Sequence, residues 1–157
     1  RCKIGKIAIM LTRYTFWLTA AILFMFLAAV LHSISFFIVP ELSNESELQL
    51  YTLMTTYRSD LGLGFSPSLW DLFRAFSFCF PLLCLSGGSM LGYLLLRHLG
   101  ESLMRPLIAI QLAIFGVCLI VFVFFTFFPP IAMTALVVVN LALAYFFCPA
   151  KPFEDDF

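Results

Sequence analysis

The residues best suited to chemistry are one histidine and a few polar side chains inside or beside long apolar runs. His32 lies within the first run, and Asp71 and Arg74 lie at the start of the second. Ionisable side chains are costly in an apolar environment, so they indicate either function or a local structural need. We expect His32, Asp71 and Arg74 to meet at the outer mouth of a helical bundle, joined by Ser77 and Tyr57.

Such a cluster would bind the polar head of an otherwise apolar ligand. The sequence contains no nucleophile elbow, zinc-binding helix or phosphate-binding loop, which removes the common hydrolase and nucleotide-binding classes. Its 5 cysteines are scattered and form no C-x-x-C pair, which argues against a disulfide framework and a structural zinc site. We therefore expect no catalytic residue, no metal and no cofactor.

A structural interpretation of the same residues stays open. Ser68 and Asp71 have the S-x-x-D spacing of a capping box immediately before an apolar stretch. Arg74 is placed to pair with Asp71 or to extend towards the headgroups. No capping pattern explains His32, so a binding role and a structural role are equally plausible there.

The composition specifies the environment of these residues. The chain has 157 residues, of which 62% are hydrophobic and 11% charged. A soluble domain of this length cannot hide so much apolar surface. Lys and Arg together number 9, as do Asp and Glu, so no basic excess favours nucleic acid.

Four apolar stretches are long enough to span a bilayer, which predicts an all-α, four-helix transmembrane bundle forming a single membrane domain over 1–157. The first exceeds the length of a signal-peptide core, so we interpret it as a retained span. Pro129-Pro130 is expected to separate the last two. A short amphipathic outer helix is predicted over 45–58, capped by Asn44, with a flexible link at 61–64. The predicted spans are about 14–39, 69–96, 106–128 and 131–147.

Lys and Arg in short loops predict the orientation. Both termini are expected on the cytoplasmic side and the acidic 40–68 loop outside. The residues on the cytoplasmic side would be Arg1, Lys3, Lys6, Arg13, Arg97, Arg105 and Lys151, against Arg58 and Arg74 on the other.

Small residues at four-residue spacing predict where helices pack closely. Spans two and three are expected to meet through the small residues listed below. The alternative is that Gly88 and Gly92 form a face for a partner subunit or a second copy of the chain. Gln111 and Asn140 are expected to form interhelical hydrogen bonds. The small residues are Gly88, Gly92, Ala109, Ala113 and Gly116.

Two short motifs carry a resemblance. Leu31-His32-Ser33 and the Ser68–Ser77 stretch (SLWDLFRAFS) resemble small four-span bacterial membrane proteins of uncharacterised function. More loosely, the layout, including Arg105-Pro106-Leu107-Ile108, is similar to the emopamil-binding and sigma-2-receptor group. The first resemblance implies a bacterial inner-membrane protein, and the second implies binding of sterol-like amphiphiles.

These observations favour a non-catalytic integral membrane protein that serves as an accessory or structural subunit of a larger membrane assembly. The expected partners are membrane lipids and other membrane subunits. The alternative is a binding protein or enzyme for a lipid-like small molecule.

Overall fold

The chain is helical over the residues that the computed structural model describes, which are 13–38, 42–60, 62–98 and 100–150. A 3-10 turn, Ser35–Phe37, follows the first helix. Apart from the second helix, all are long and apolar enough to cross a membrane. The predicted all-α fold with four spanning helices and a short outer helix is confirmed. The helices are α1 (Tyr14–Ile34), α2 (Glu45–Thr56), α3 (Leu69–Leu96), α4 (Glu101–Phe125) and α5 (Phe128–Phe147).

Helix α4 begins five residues before the predicted position of about 106. Gly100 is its N-cap, Glu101 lies in the first turn, and Pro106 is inside the helix. Proline fits a first turn at no cost because the amides there lack helical partners. At its actual position, Pro106 removes one backbone donor from the ladder, and the helix nevertheless continues through it.

The proline pair lies inside α5 rather than between α4 and α5. Phe127 is the N-cap of α5, so Pro129 and Pro130 occupy its first turn. The first four backbone amides of a helix have no helical partner, so prolines there lose nothing. The connection is instead made at Thr126, whose backbone N–H and hydroxyl both donate to the Phe122 carbonyl, at 2.9 and 2.8 Å.

Contacts divide the described residues into two units, one within Arg1–Ala28 and Cys84–Phe157 and the other within Ala29–Leu83. In the first unit, buried residues recur at alternating three- and four-residue intervals, which is the spacing of helices packed with a left-handed supercoil. In α4 these are Met104, Ile108, Gln111 and Phe115, and in α5 they are Thr134, Val137, Leu141 and Ala144, with Asn140 buried beside Leu141.

The second unit holds the end of α1, the 3-10 turn, α2 and the first half of α3. Asn44 caps α2 by accepting a hydrogen bond from the Glu47 N–H at 2.9 Å, as predicted, and α2 ends at Thr56. Every residue of α2 is at least partly exposed. The helix contacts α3 through the ring of Tyr51, which meets that of Trp70 edge-to-face at 5.4 Å.

Candidate functional site

His32, near the end of α1, bonds to the backbone of α3. Its Nε2 lies 3.1 Å from the carbonyl oxygen of Ser77. A carbonyl can only accept a hydrogen bond, so Nε2 carries the hydrogen and donates it. Ser77 was expected to join the site, and it is the backbone carbonyl of this residue that makes the contact.

Pro81 makes this carbonyl available. In a regular helix the Ser77 carbonyl would accept a hydrogen bond from the N–H four residues later. That residue is Pro81, which lies within α3, is buried and has no N–H. His32 therefore supplies the donor that the α3 ladder lacks.

Aromatic rings fix the orientation of the imidazole. Phe36 and Phe80 meet the His32 ring edge-to-face, with ring centroids at 5.5 and 5.4 Å. Phe36 in turn stacks on Phe78 at 4.0 Å. In the neutral tautomer set by the Ser77 bond, Nδ1 keeps its lone pair. No hydrogen bond to Nδ1 is formed by the residues that the structure describes.

Asp71 takes part in the capping box of α3. Its Oδ2 accepts hydrogen bonds from the backbone N–H and the hydroxyl of Ser68, at 3.1 and 2.7 Å. The Ser68 hydroxyl in turn accepts from the Asp71 N–H at 3.1 Å. This confirms the capping-box interpretation, and it occupies the carboxylate that was expected to face His32.

The structure brings His32 to Ser77 but not to Asp71. Asp71 and Ser77 are six positions apart in α3, which is about 9 Å along the helix axis. Arg74 and Tyr57 have exposed side chains. No hydrogen bond from either side chain is seen within the described ranges. Whether His32, Asp71, Arg74, Ser77 and Tyr57 bind a ligand stays a prediction.

Three aromatic residues in this region were missed from the sequence: Phe36, Tyr51 and Phe80. Phe80 reaches His32, and Tyr51 reaches Trp70, only because segments distant in sequence lie side by side, whereas Phe36 meets His32 one helical turn away in the same segment. One signal was available, because the four-residue offset from Pro81 identifies the Ser77 carbonyl as the one freed for a new donor.

The small residues of α3 face two different helices. An added Cβ at Gly88 would lie 3.4 Å from the Phe26 ring of α1, and one at Gly92 would lie 3.9 Å from Ile22. Only Gly87 approaches α4, where a Cβ would lie 2.9 Å from Gln111 Oε1. The expected contact between spans two and three therefore runs through Gly87, whereas Gly88 and Gly92 accommodate span one.

The small residues of α4 point away from that contact. Ala113 is exposed and Ala109 partly exposed, and a Cβ at Gly116 would meet no atom within 4 Å. Gln111 is buried, and its Oε1 has no hydrogen-bond partner among the described residues. Asn140 donates to the Leu136 carbonyl of its own helix at 2.7 Å, rather than across to another helix.

Within the described ranges, no group of three or more His, Cys, Asp or Glu side chains is arranged to hold a metal ion. No family model, curated protein or solved structure matches this chain. Its function therefore has to be inferred from the residues themselves.

Proposed function

We propose that this chain is a non-catalytic accessory or structural subunit of a larger membrane assembly, and that α4 presents the surface for its partner. The observation that carries the proposal is the exposure of α4. In its most apolar stretch 17% of the residues are buried, against 28% in each of the other three spans. Among the described residues, this stretch of α4 is therefore less buried than the corresponding stretch of any other candidate span.

The chemistry of the exposed α4 face supports a protein partner. Ala113, Gly116, Val117 and Ile120 lie on one side at helical spacing, and the last two are 61% and 60% exposed. Small residues let two backbones approach closely, so van der Waals contact can replace lipid contact. We define these four residues as the α4 face.

The hydrogen bonds that His32 and Asp71 already make within the chain support a non-catalytic role. His32 donates to a backbone carbonyl, and the Asp71 carboxylate accepts two hydrogen bonds in a cap. A general acid or base needs a geometry that reaches a substrate, and the Nε2 hydrogen of His32 and the Asp71 carboxylate are already engaged in hydrogen bonds that hold helices.

The test is purification in mild detergent with two matched substitutions. Ala113 of the α4 face and Ala142 of α5 are both exposed alanines in spanning helices. We expect a stoichiometric membrane partner to co-purify with the unmodified protein and with Ala142→Leu. Ala113→Leu should lower its yield at least tenfold. A clean monomer, or equal loss in both variants, would contradict the proposal.

A second candidate function is binding of a lipid-like molecule with a hydroxyl group. The Nδ1 lone pair of His32 is the observation that favours it, because that atom can accept a hydrogen bond beside the apolar rings of Phe36 and Phe80. The test compares a fluorescent sterol with its 3-methyl ether. This role would be supported if the ether binds more weakly than the sterol and if the sterol binds more weakly to His32→Phe than to the unmodified protein. Equal binding of both probes would exclude a hydrogen bond at Nδ1.

We also propose that both termini are cytoplasmic, that the 40–68 loop lies outside, and that the membrane is a bacterial inner membrane. The distribution of Lys and Arg supports the orientation. The short resemblance to four-span bacterial proteins supports the membrane.

A further inference from the structure

The segment between α2 and α3 forms a closed turn. Arg58 and Ser68 pair as an antiparallel bridge, and the Ser59 N–H donates to the Pro67 carbonyl at 3.1 Å. The Arg58 side chain closes the turn further, because Nη1 donates to the Ser66 carbonyl at 3.1 Å. The described residues on both sides of the predicted link are therefore joined in a hairpin-like arrangement.

The tip of this loop has a defined backbone. Gly62, Leu63 and Gly64 have φ values of 81°, 55° and 82°, in the left-handed region. Asp60 Oδ1 accepts from the Gly62 N–H at 2.8 Å, and the Phe65 N–H donates to the Gly62 carbonyl at 3.0 Å. Leucine is disfavoured in this region, so its presence between two glycines indicates that the position of its side chain is important.

The loop tip presents large apolar side chains outward. Leu63 is 98% exposed and Phe65 69% exposed. No ionisable residue occurs in the sequence between Asp60 and Asp71. Holding a leucine and a phenylalanine outward in water is unfavourable, because removing their apolar surface from water lowers the free energy.

The exposed apolar surface of the loop continues on α3. Leu69, Phe73 and Phe76 follow one another on one side of the first turns of α3, and they are 38%, 55% and 74% exposed. Because α3 is a candidate membrane span, we expect this side to face the acyl chains. Trp70 in the first turn is typical of the boundary between headgroups and acyl chains. The loop tip precedes this boundary by only a few residues.

We propose that the tip at 62–65 is a membrane-binding loop, which inserts Leu63 and Phe65 into the headgroup and acyl-chain boundary of the bilayer that the protein spans. The partner is phospholipid. The hydrogen bonds of the loop supply the order in advance, so insertion does not have to immobilise a flexible segment. The inserted side chains also fix the depth of the start of α3.

The absence of charge in this stretch of sequence predicts the lipid preference. An electrostatic surface site needs Lys or Arg and weakens as salt screens it. Insertion of Leu63 and Phe65 depends on apolar burial alone. The loop should therefore bind zwitterionic phosphatidylcholine as well as anionic phosphatidylglycerol, and it should do so equally at low and high salt.

The experiment uses the full chain in nanodiscs and tryptophan quenching by brominated phosphatidylcholine. Trp17→Phe and Trp70→Phe remove the native signals, and Leu63→Trp or Phe65→Trp supplies a single reporter. Ser46→Trp is the matched control, because Ser46 is exposed between two glutamates of α2. We expect at least threefold stronger quenching at positions 63 and 65 than at 46, with iodide in the buffer showing the reverse order.

Two results would overturn the proposal. Strong iodide quenching and weak bromolipid quenching at both loop positions would place the tip in water. Protection from both quenchers would mean that protein covers the tip, either a second copy or another subunit. The two reporters differ in how much they disturb the loop, since Phe65→Trp replaces one aromatic ring with another. Agreement between them therefore separates the position of the tip from a local misfolding.

Discussion

At the scale of single residues, His32 shows how a histidine in a membrane span can serve the backbone. Removing one N–H at Pro81 leaves the Ser77 carbonyl without its helical donor, and an unpaired carbonyl in an apolar environment costs free energy. The imidazole of His32 replaces that donor at 3.1 Å. His32 and Pro81 are therefore structurally dependent on each other, although they are 49 positions apart in the sequence (81 − 32).

A double-mutant cycle tests this dependence. His32→Leu should lower the free energy of unfolding by about 1 kcal/mol, because the carbonyl loses its donor. In a Pro81→Ala background the alanine N–H restores the helical bond, so His32→Leu should cost clearly less. The measurement is unfolding in mixed micelles, with Ser33→Ala as the control. Equal costs in the two backgrounds would mean that the contribution of His32 does not depend on the missing N–H of Pro81.

Cys148 offers a second test at this scale. The residue follows the last span, is 2% exposed, and its Sγ lies 4.0 Å from the Glu101 carbonyl oxygen. Burial and the Glu101 carboxylate raise the pKa of its thiol, against the opposing effect of Arg105. The thiolate is the reactive form, so a raised pKa leaves less of it at neutral pH.

We therefore expect alkylation of Cys148 at neutral pH to be at least tenfold slower in the folded protein than after denaturation in dodecyl sulfate. Its rate in the folded protein should still be rising above about pH 8.5, where an ordinary thiol begins to level off. Mass spectrometry of the peptide that carries Cys148 gives the rate. A plateau at the ordinary pH would argue against a raised pKa.

At the scale of helices and loops, local chemistry predicted some boundaries and missed others. The caps at Asn44 and Ser68 depend on residues three positions apart, so sequence alone identified them. The prolines were harder to interpret, because the same residue ends a helix or begins one according to which neighbours are already helical. The link at 61–64 was expected to be flexible because glycine permits many conformations. In its described part, 62–64, hydrogen bonds from Asp60 and Phe65 hold Gly62 on both sides.

The capping box gives a prediction at this scale. Ser68→Ala removes one hydroxyl that makes two hydrogen bonds. It accepts from the Asp71 N–H and donates to the Asp71 carboxylate. The expected loss of stability is about 1 kcal/mol. Ser66→Ala is the matched control, because Ser66 is exposed and only its carbonyl oxygen accepts a hydrogen bond. Equal effects of the two substitutions on the unfolding midpoint in mixed micelles would show that the box does not stabilise α3.

At the scale of the whole molecule, the number of spanning helices and the charge distribution lead to one topological prediction. If all four candidate spans cross the membrane, both ends of the chain are expected on the same side. The excess of Lys and Arg near the ends and in the 97–105 loop predicts that this side is cytoplasmic. A reporter that is active only in the cytoplasm, fused after Phe157, should therefore be active, and one fused within 40–68 should be inactive. The opposite pattern would reverse the proposed orientation.

The sequence by itself determined the fold class, the number of spans, the outer helix and the caps. Each of these depends on the hydrophobicity of a continuous stretch or on residues within one helical turn. Only the tertiary structure decided that His32 bonds to the Ser77 backbone rather than to Asp71, that Gly88 faces α1, and that Leu63 projects from an ordered loop. These contacts join residues far apart in the chain, and their partners are defined by the relative rotation and depth of packed helices, which no local pattern specifies.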